Sequence, residues 1–261
     1  MADNEKILKS IQPSAAIEIW YRRKLRELIE AMAKSVLLHT RAAWKAEPPD
    51  VGFASDSSPT LGLRRALKKW GDKQVGKFDE MAAEISAAFA RRSRRDFDKR
   101  FGKILKDAGF TVKFKPTPQM VEAYRAVVAE NVNLIRSIPQ KFLTDVQTSV
   151  FQSVMKGSDM DGLAREIKRN YGVTWRRASF IARDQNSKAR AVFEEARRSE
   201  LGITEAIWRH SHAGREPRPT HVAMNGKRYQ IKVGMYDSDV GENVWPGTLP
   251  NCRCSSRSVL P

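Results

Sequence analysis

Cysteine is scarce in this chain of 261 residues: there are two, Cys252 and Cys254, one residue apart. Two thiols so placed make no disulfide framework and fit a reducing cytoplasm. A bond between them would close a strained small ring, so free thiols are expected. Histidine is nearly as rare, at four. Long apolar runs are missing, since none approaches the roughly 20 residues of a bilayer-spanning helix. The opening MADNEKILKS lacks the basic-then-apolar pattern of a signal peptide, so the protein is expected to stay in the compartment where it is made. There is no phosphate-cradling glycine loop, dinucleotide fingerprint or HExxH pair. There is also no zinc-finger ligand pattern and no RNA-binding aromatic box. These gaps remove the usual signals of nucleotide enzymes, zinc proteases and sequence-reading nucleic-acid modules. Acidic residues are in deficit, 30 against 47 Lys and Arg, for a net charge of +17. That excess favours a polyanionic partner: DNA, RNA or an acidic protein surface.

What is present is mostly helical patterning. From Pro13 to about Lys45, apolar residues recur three to five apart (Ile17, Trp20, Leu25, Leu28, Met32), which predicts a helix with one buried face. Pro48 and Pro49 end it, and 47–60 reads as a loop. A second helical stretch runs from Leu61 to about Ala108, with breaks expected near Gly71 or Gly76. It carries a dense basic run, Arg91, Arg92, Arg94, Arg95, Lys99, Arg100, Lys103 and Lys106, diluted by Asp96, Asp98 and Asp107. The run reads either as a phosphate-facing helix or as a solvated face laced with local ion pairs. Gly109 caps that helix, and Phe110–Lys115 alternates like a strand or an extended docking segment. Thr117, between two prolines, signals the N-cap of a helix over Gln119–Ser137, and Ile138-Pro139 should interrupt it before another over Lys141–Met155. Lys156-Gly157 reads as a boundary, Ser158 or Asp159 as the cap of a helix over Met160–Asn170, and Tyr171-Gly172 as its stop. Thr174 then starts a long helix to Leu201, with Gly202 as its stop.

The chemistry concentrates after Trp208. This stretch holds His210, His212, His221 and both cysteines. Glu205–His210 reads as a strand. Pro217 and Pro219 force an extended path to Thr220, a candidate cap for one helical turn through Met224. Asn225-Gly226 is a hairpin signal, with Lys227–Val233 as the returning strand. Cys252-Arg253-Cys254 sits on a short extended piece.

The ordered set Arg218, Pro219, His221, Asn225 and Gly226, followed after a variable loop by Pro250, Asn251, Cys252, Arg253 and Cys254, resembles the phage Mu F-like, or SPP1 gp7-like, head morphogenesis family. The helix Ile181–Leu201 and Trp208 fit that family's lead-in. The resemblance covers roughly the last 90 to 100 residues, the size of one small domain. It implies a minor head protein of a tailed bacteriophage, non-enzymatic and present in multiple copies. It further implies docking on portal, capsid or scaffold proteins and contact with packaged double-stranded DNA. The location it implies is the virion, and the host cytoplasm during assembly. The domain also leads larger toxin proteins, and no effector domain is expected after Cys254.

The histidines and cysteines admit other readings. His221, Cys252 and Cys254, with His210 or His212 as a fourth, could hold zinc, although structural zinc usually has two or more residues between paired cysteines. The plainer reading is that His221 hydrogen-bonds to backbone while the cysteines act as small buried apolar groups. A Cys-His hydrolase needs an orienting acid and an oxyanion hole, and no acid stands out. For Arg218 and Arg253, pinning the terminal strand is favoured over phosphate or portal contact. A free nucleic-acid-binding phage or prophage protein remains the alternative function. The expected architecture is α+β and mainly helical: a region of long antiparallel helices over 1–156, then a compact domain over 157–261 with helices on a small antiparallel sheet.

Overall fold

The computed structural model describes residues 5–46, 59–156, 160–212 and 216–260. In chain order its elements are β1 (Lys6–Ile7), α1 (Ala15–Ala46), α2 (Pro59–Asp107), α3 (Pro118–Met155), α4 (Met160–Glu200), β2 (Glu205–Arg209), α5 (Pro219–Met224), β3 (Arg228–Gln230), β4 (Met235–Asp237), β5 (Glu242–Val244) and β6 (Ser255–Leu260). The architecture is the expected mainly helical α+β, with α1 to α4 spanning 32 to 49 residues each.

These elements form two compact units. One comprises 1–19, 87–129 and 182–261, and the other 20–86 and 130–181. The boundaries of the units fall inside all four long helices, and the first unit gathers both ends of the chain in its sheet. The order of this sheet is β1-β6-β2-β3, all antiparallel, so the start of the chain is built into the same sheet as its end.

In the unit holding this sheet, β6 is the strand between β1 and β2, and five of its six residues are buried. The last turns of α4 lie against it through Arg198. Its Nε donates to Ser258 Oγ (2.9 Å), Nη1 to Ser256 Oγ (2.9 Å) and Nη2 to Glu194 Oε1 (2.6 Å). Gly202, at φ +66°, ends α4, and Ile203 N donates back to Arg198 O, a left-handed C-terminal cap. Phe110–Lys115 lies outside the helices and joins no sheet. Phe114 stacks on Phe101 at 5.9 Å, and the guanidinium of Arg197 lies 4.5 Å from the Phe114 ring centroid. Thr117 caps α3 as expected, its Oγ1 accepting from Met120 N (3.2 Å).

The other unit is helical. Tyr21 donates to Asn131 Oδ1 (2.8 Å), Trp70 Nε1 to Ser35 Oγ (2.7 Å) and Asn170 Nδ2 to Ser149 Oγ (2.9 Å), tying segments of all four helices together. Three expected breaks are absent here. Helix α2 runs through Gly71 and Gly76, and a Cβ on Gly71 would meet Leu143 Cδ1 at 3.2 Å, so this glycine admits a close neighbour and does not end the helix. Helix α3 runs through Pro139. The turn before it is clamped by Arg177, which donates to Ser137 O (3.1 Å) and Oγ (2.9 Å), and buried Ile135, Ile138 and Phe142 continue the apolar stripe across it. Helix α4 runs through Tyr171-Gly172, where an interior glycine costs only about 1 kcal/mol. Thr174 is therefore no cap, and its Oγ1 donates to Asn170 O within the helix. The expected loop over 47–58 and the boundary and caps at 157–159 lie outside the described residues.

Candidate functional site

The C-terminal loops are built around a few special backbone positions. Pro219 occupies the first turn of α5, where its missing N–H is not needed, and Arg218 is the N-cap, so the expected cap at Thr220 is displaced by two residues. Asn225 and Gly226 do not make a two-residue hairpin. Asn225 has φ −55° and Gly226 φ +80°, a turn that ends α5 and brings Lys227 to β3. The expected strand over Lys227–Val233 is the shorter β3, which pairs with β2, Ala206 opposite Tyr229, and the expected helical turn through Met224 is α5. The stretch read as a variable loop contains the β4–β5 hairpin, with Met235 opposite Val244.

This arrangement delivers His221 from α5, Asp237 from β4, and Cys252 and Cys254 from the approach to β6. His221 is 2% exposed and Asp237 0%. His221 Nε2 lies 3.1 Å from Asp237 Oδ2. The other ring nitrogen, Nδ1, faces both sulfurs, at 3.5 Å from Cys252 Sγ and 3.8 Å from Cys254 Sγ. His221 is thus held by a carboxylate and not by backbone. The Trp208 ring meets the imidazole edge-on at 5.1 Å. Gly247 N donates to Cys252 Sγ (3.4 Å). Among the described residues the indole N–H of Trp208 is buried without a hydrogen-bond partner, and it favours the ionised form of Cys254.

The electrostatics follow from the crowding. Hydrogen bonding from the Cys254 thiol depresses the Cys252 pKa strongly against the effect of burial, with His221 adding to the effect. Cys254 is raised because it holds the shared proton, is buried and faces a negative neighbour. Burial opposes charging of His221, but the Cys252 sulfur and Asp237 outweigh it and raise its pKa. Asp237 is lowered, burial being outweighed by the Asp239 N–H, the Thr220 hydroxyl and His221.

The loop carrying the cysteines is pinned by guanidiniums. Arg218 Nη2 donates to Pro250 O (2.9 Å), and buried Arg190 Nη2 donates to Pro246 O (2.9 Å) and Cys254 O (3.0 Å). Asn251, at φ +60°, gives its N–H to Asp184 Oδ1 (2.7 Å). Arg253, Arg218 and Arg183 line a cavity of about 560 Å³ together with His210, His221, Cys252 and Cys254. His210 and His212 pack edge to face at 4.6 Å, and His210 N is bound by Asn225 Oδ1 (3.0 Å). Burial first, and then His212, lower the His210 pKa. Among the described residues, the close cluster of His221, Cys252 and Cys254 includes neither of these histidines.

Asp237, Trp208, Gly247 and Arg190 complete the site, and their part in it was not read from the sequence. Asp237 sits in a polar loop whose hairpin gives no periodic signal, so the orienting acid absent from the sequence reading is present in the fold. The Cys252–His221–Asp237 series has the order of a hydrolase triad. However, two sulfurs converge on one nitrogen, Gly247 N–H is spent on the Cys252 sulfur, and both cysteines are buried.

The basic run resolves into two classes. Arg91, Arg95, Lys99, Lys103 and Lys106 recur every three or four residues and are exposed, forming a stripe along α2, with exposed Arg92 beside it. Arg100 is engaged with Asp96 (3.3 Å) and Gln12 O (2.7 Å), and the Nε of Arg94 is buried. Asp98 is taken by Arg197 (2.8 Å). Two of the three aspartates that dilute the run are thus occupied, one of them by a different helix.

Comparison with known proteins agrees with the motif. Residues 144–257 match the family described as phage Mu protein F like protein. A protein of Haemophilus influenzae (strain ATCC 51907 / DSM 11121 / KW20 / Rd), described as an uncharacterized protein, is 30% identical over 260 residues, covering 97% of this chain and 55% of that protein. The chain thus spans about half the length of this curated relative. No solved structure matches it.

Proposed function

We propose, from the match of residues 144–257 to the phage Mu protein F like family, that the chain is a minor head protein of a tailed bacteriophage acting in head morphogenesis. In this reading it docks on portal, capsid or scaffold protein from the capsid interior, is present in multiple copies, and contacts packaged double-stranded DNA without reading its sequence. Its role is positional and non-enzymatic. The family match carries the head assignment. The stripe Arg91, Arg95, Lys99, Lys103 and Lys106 supports the DNA contact, because exposed cations at helical spacing track phosphates regardless of base.

The alternative, a free nucleic-acid-binding protein of a phage or prophage, shares the stripe but not the assembly role. Deleting the gene from a phage that carries it, and separating the heads on a density gradient, distinguishes the two. The proposal expects a loss of filled heads, with restoration by the gene supplied in trans. An unchanged yield of filled, infectious particles overturns it.

A further inference from the structure

We propose that His221, Cys252 and Cys254 are three ligands of one divalent cation that prefers thiolate and imidazole, zinc foremost, and that Asp237 orients the histidine from behind. The three residues line one cavity together with His210. This inference is independent of the head-protein reading.

Zinc–sulfur bonds are about 2.3 Å and zinc–nitrogen bonds about 2.0 to 2.1 Å, so a tetrahedral ion sets sulfur and nitrogen roughly 3.5 Å apart. Nδ1 of His221 stands 3.5 and 3.8 Å from the two sulfurs, and all three ligand atoms lie within 4.8 Å of one another. The awkwardness of Cys-x-Cys spacing is removed by the backbone, which lies outside β6 across Cys252–Cys254, so that both sulfurs reach one nitrogen.

A ligating histidine characteristically gives its other ring N–H to a carboxylate, and Asp237 Oδ2 lies 3.1 Å from His221 Nε2. The Cys252 sulfur has a donor aimed at it, the Gly247 N–H (3.4 Å), and the Ser211 N–H and the Trp208 indole N–H favour the ionised form of Cys254. The indole N–H is otherwise an unsatisfied buried donor. A neutral thiol is a poor acceptor for it, whereas a metal-bound thiolate would complete its hydrogen bonding. Coordination requires both sulfurs as thiolates and His221 as neutral imidazole, and releases to solvent whatever protons these ligand atoms carry.

The ion would join α5 to the approach of β6 and so hold the connection across the β4–β5 hairpin. A hydrolytic nucleophile at Cys252 is the competing use of the same atoms, and it requires a free thiolate in the resting protein.

The test uses the full chain, chelator-treated under reducing conditions and titrated with Co²⁺, a spectroscopic stand-in for zinc. The proposal expects one equivalent bound, sulfur-to-cobalt charge-transfer absorption, tetrahedral visible bands, displacement by Zn²⁺, and a rise in Tm with metal. Asp237→Asn should keep the fold and weaken binding about 10- to 100-fold. His212→Ala should leave binding unchanged. Cys252→Ser and Cys254→Ser should each lose the charge-transfer band. Should these two variants misfold, the titration of the unaltered chain still decides. No binding, or binding without sulfur-to-cobalt absorption, overturns the site. Stoichiometric alkylation of Cys252 in the presence of excess zinc overturns it in favour of a reactive thiol.

Discussion

Lys6 stands opposite Leu260 in the β1–β6 ladder, so the first described strand of the chain edges the last. Leu8 N continues the contact to Ser258 O (2.9 Å), and Leu8 and Ile11 are buried. Removing residues 1–13 should therefore destabilise the C-terminal sheet, which lies at the far end of the chain. Burial of two such side chains contributes roughly 3 to 6 kcal/mol. Urea unfolding should show a lower midpoint, and a fragment spanning 157–261 should fail to unfold cooperatively. A fragment with a full cooperative transition would contradict the unit as described.

Arg198 is 4% exposed and bridges Glu194 to Ser256 and Ser258. Substituting Arg198→Met leaves the Glu194 carboxylate buried with one fewer partner. Loss of one member of a buried pair typically costs about 3 to 5 kcal/mol. Chemical denaturation should show a loss of this order, although Arg190 also pairs with Glu194 and should limit it. Glu194→Gln should cost more, because it takes the carboxylate from both Arg190 and Arg198.

Gly247 has φ +90°, and a Cβ there would lie 2.6 Å from Arg190 Nη2 and 3.2 Å from Cys254 O. Gly247→Ala combines left-handed strain of about 1 to 3 kcal/mol with displacement of a buried guanidinium. Thermal unfolding should show a clear drop in Tm. Gly76→Ala, with open space around it and in mid-helix, should show a small gain.

The stripe on α2 predicts a salt-dependent, sequence-blind affinity for duplex DNA. Replacing Arg91, Arg95 and Lys99 with Ala should weaken binding and flatten the slope of log K against log salt by about 0.9 per lost phosphate contact. Fluorescence anisotropy at several salt concentrations measures this. Arg100→Ala should instead act mainly on stability, because Arg100 holds Gln12 O.

Much of the fold is legible in the sequence, because three-to-five spacing marks the long helices and Thr117, Gly109 and Gly202 mark their ends. Gly71, Pro139 and Gly172 mislead because a local breaker is outvoted by tertiary packing on both sides. The pairing of β1 with β6 leaves no sequence trace, since a two-residue strand has no period. At the site, the residue types of His221, Cys252 and Cys254 are visible at once. Their convergence involves Asp237, the last residue of β4 and 16 positions from His221, and Gly247, whose positive φ shapes the turn before Cys252.

The head assignment is tested most directly by quantitative mass spectrometry of density-purified phage particles from a lysate that makes this chain, with portal and major capsid protein as internal standards. The account predicts several copies per portal ring, retained through purification. Recovery of the chain only in the soluble lysate, with none in particles, would contradict it.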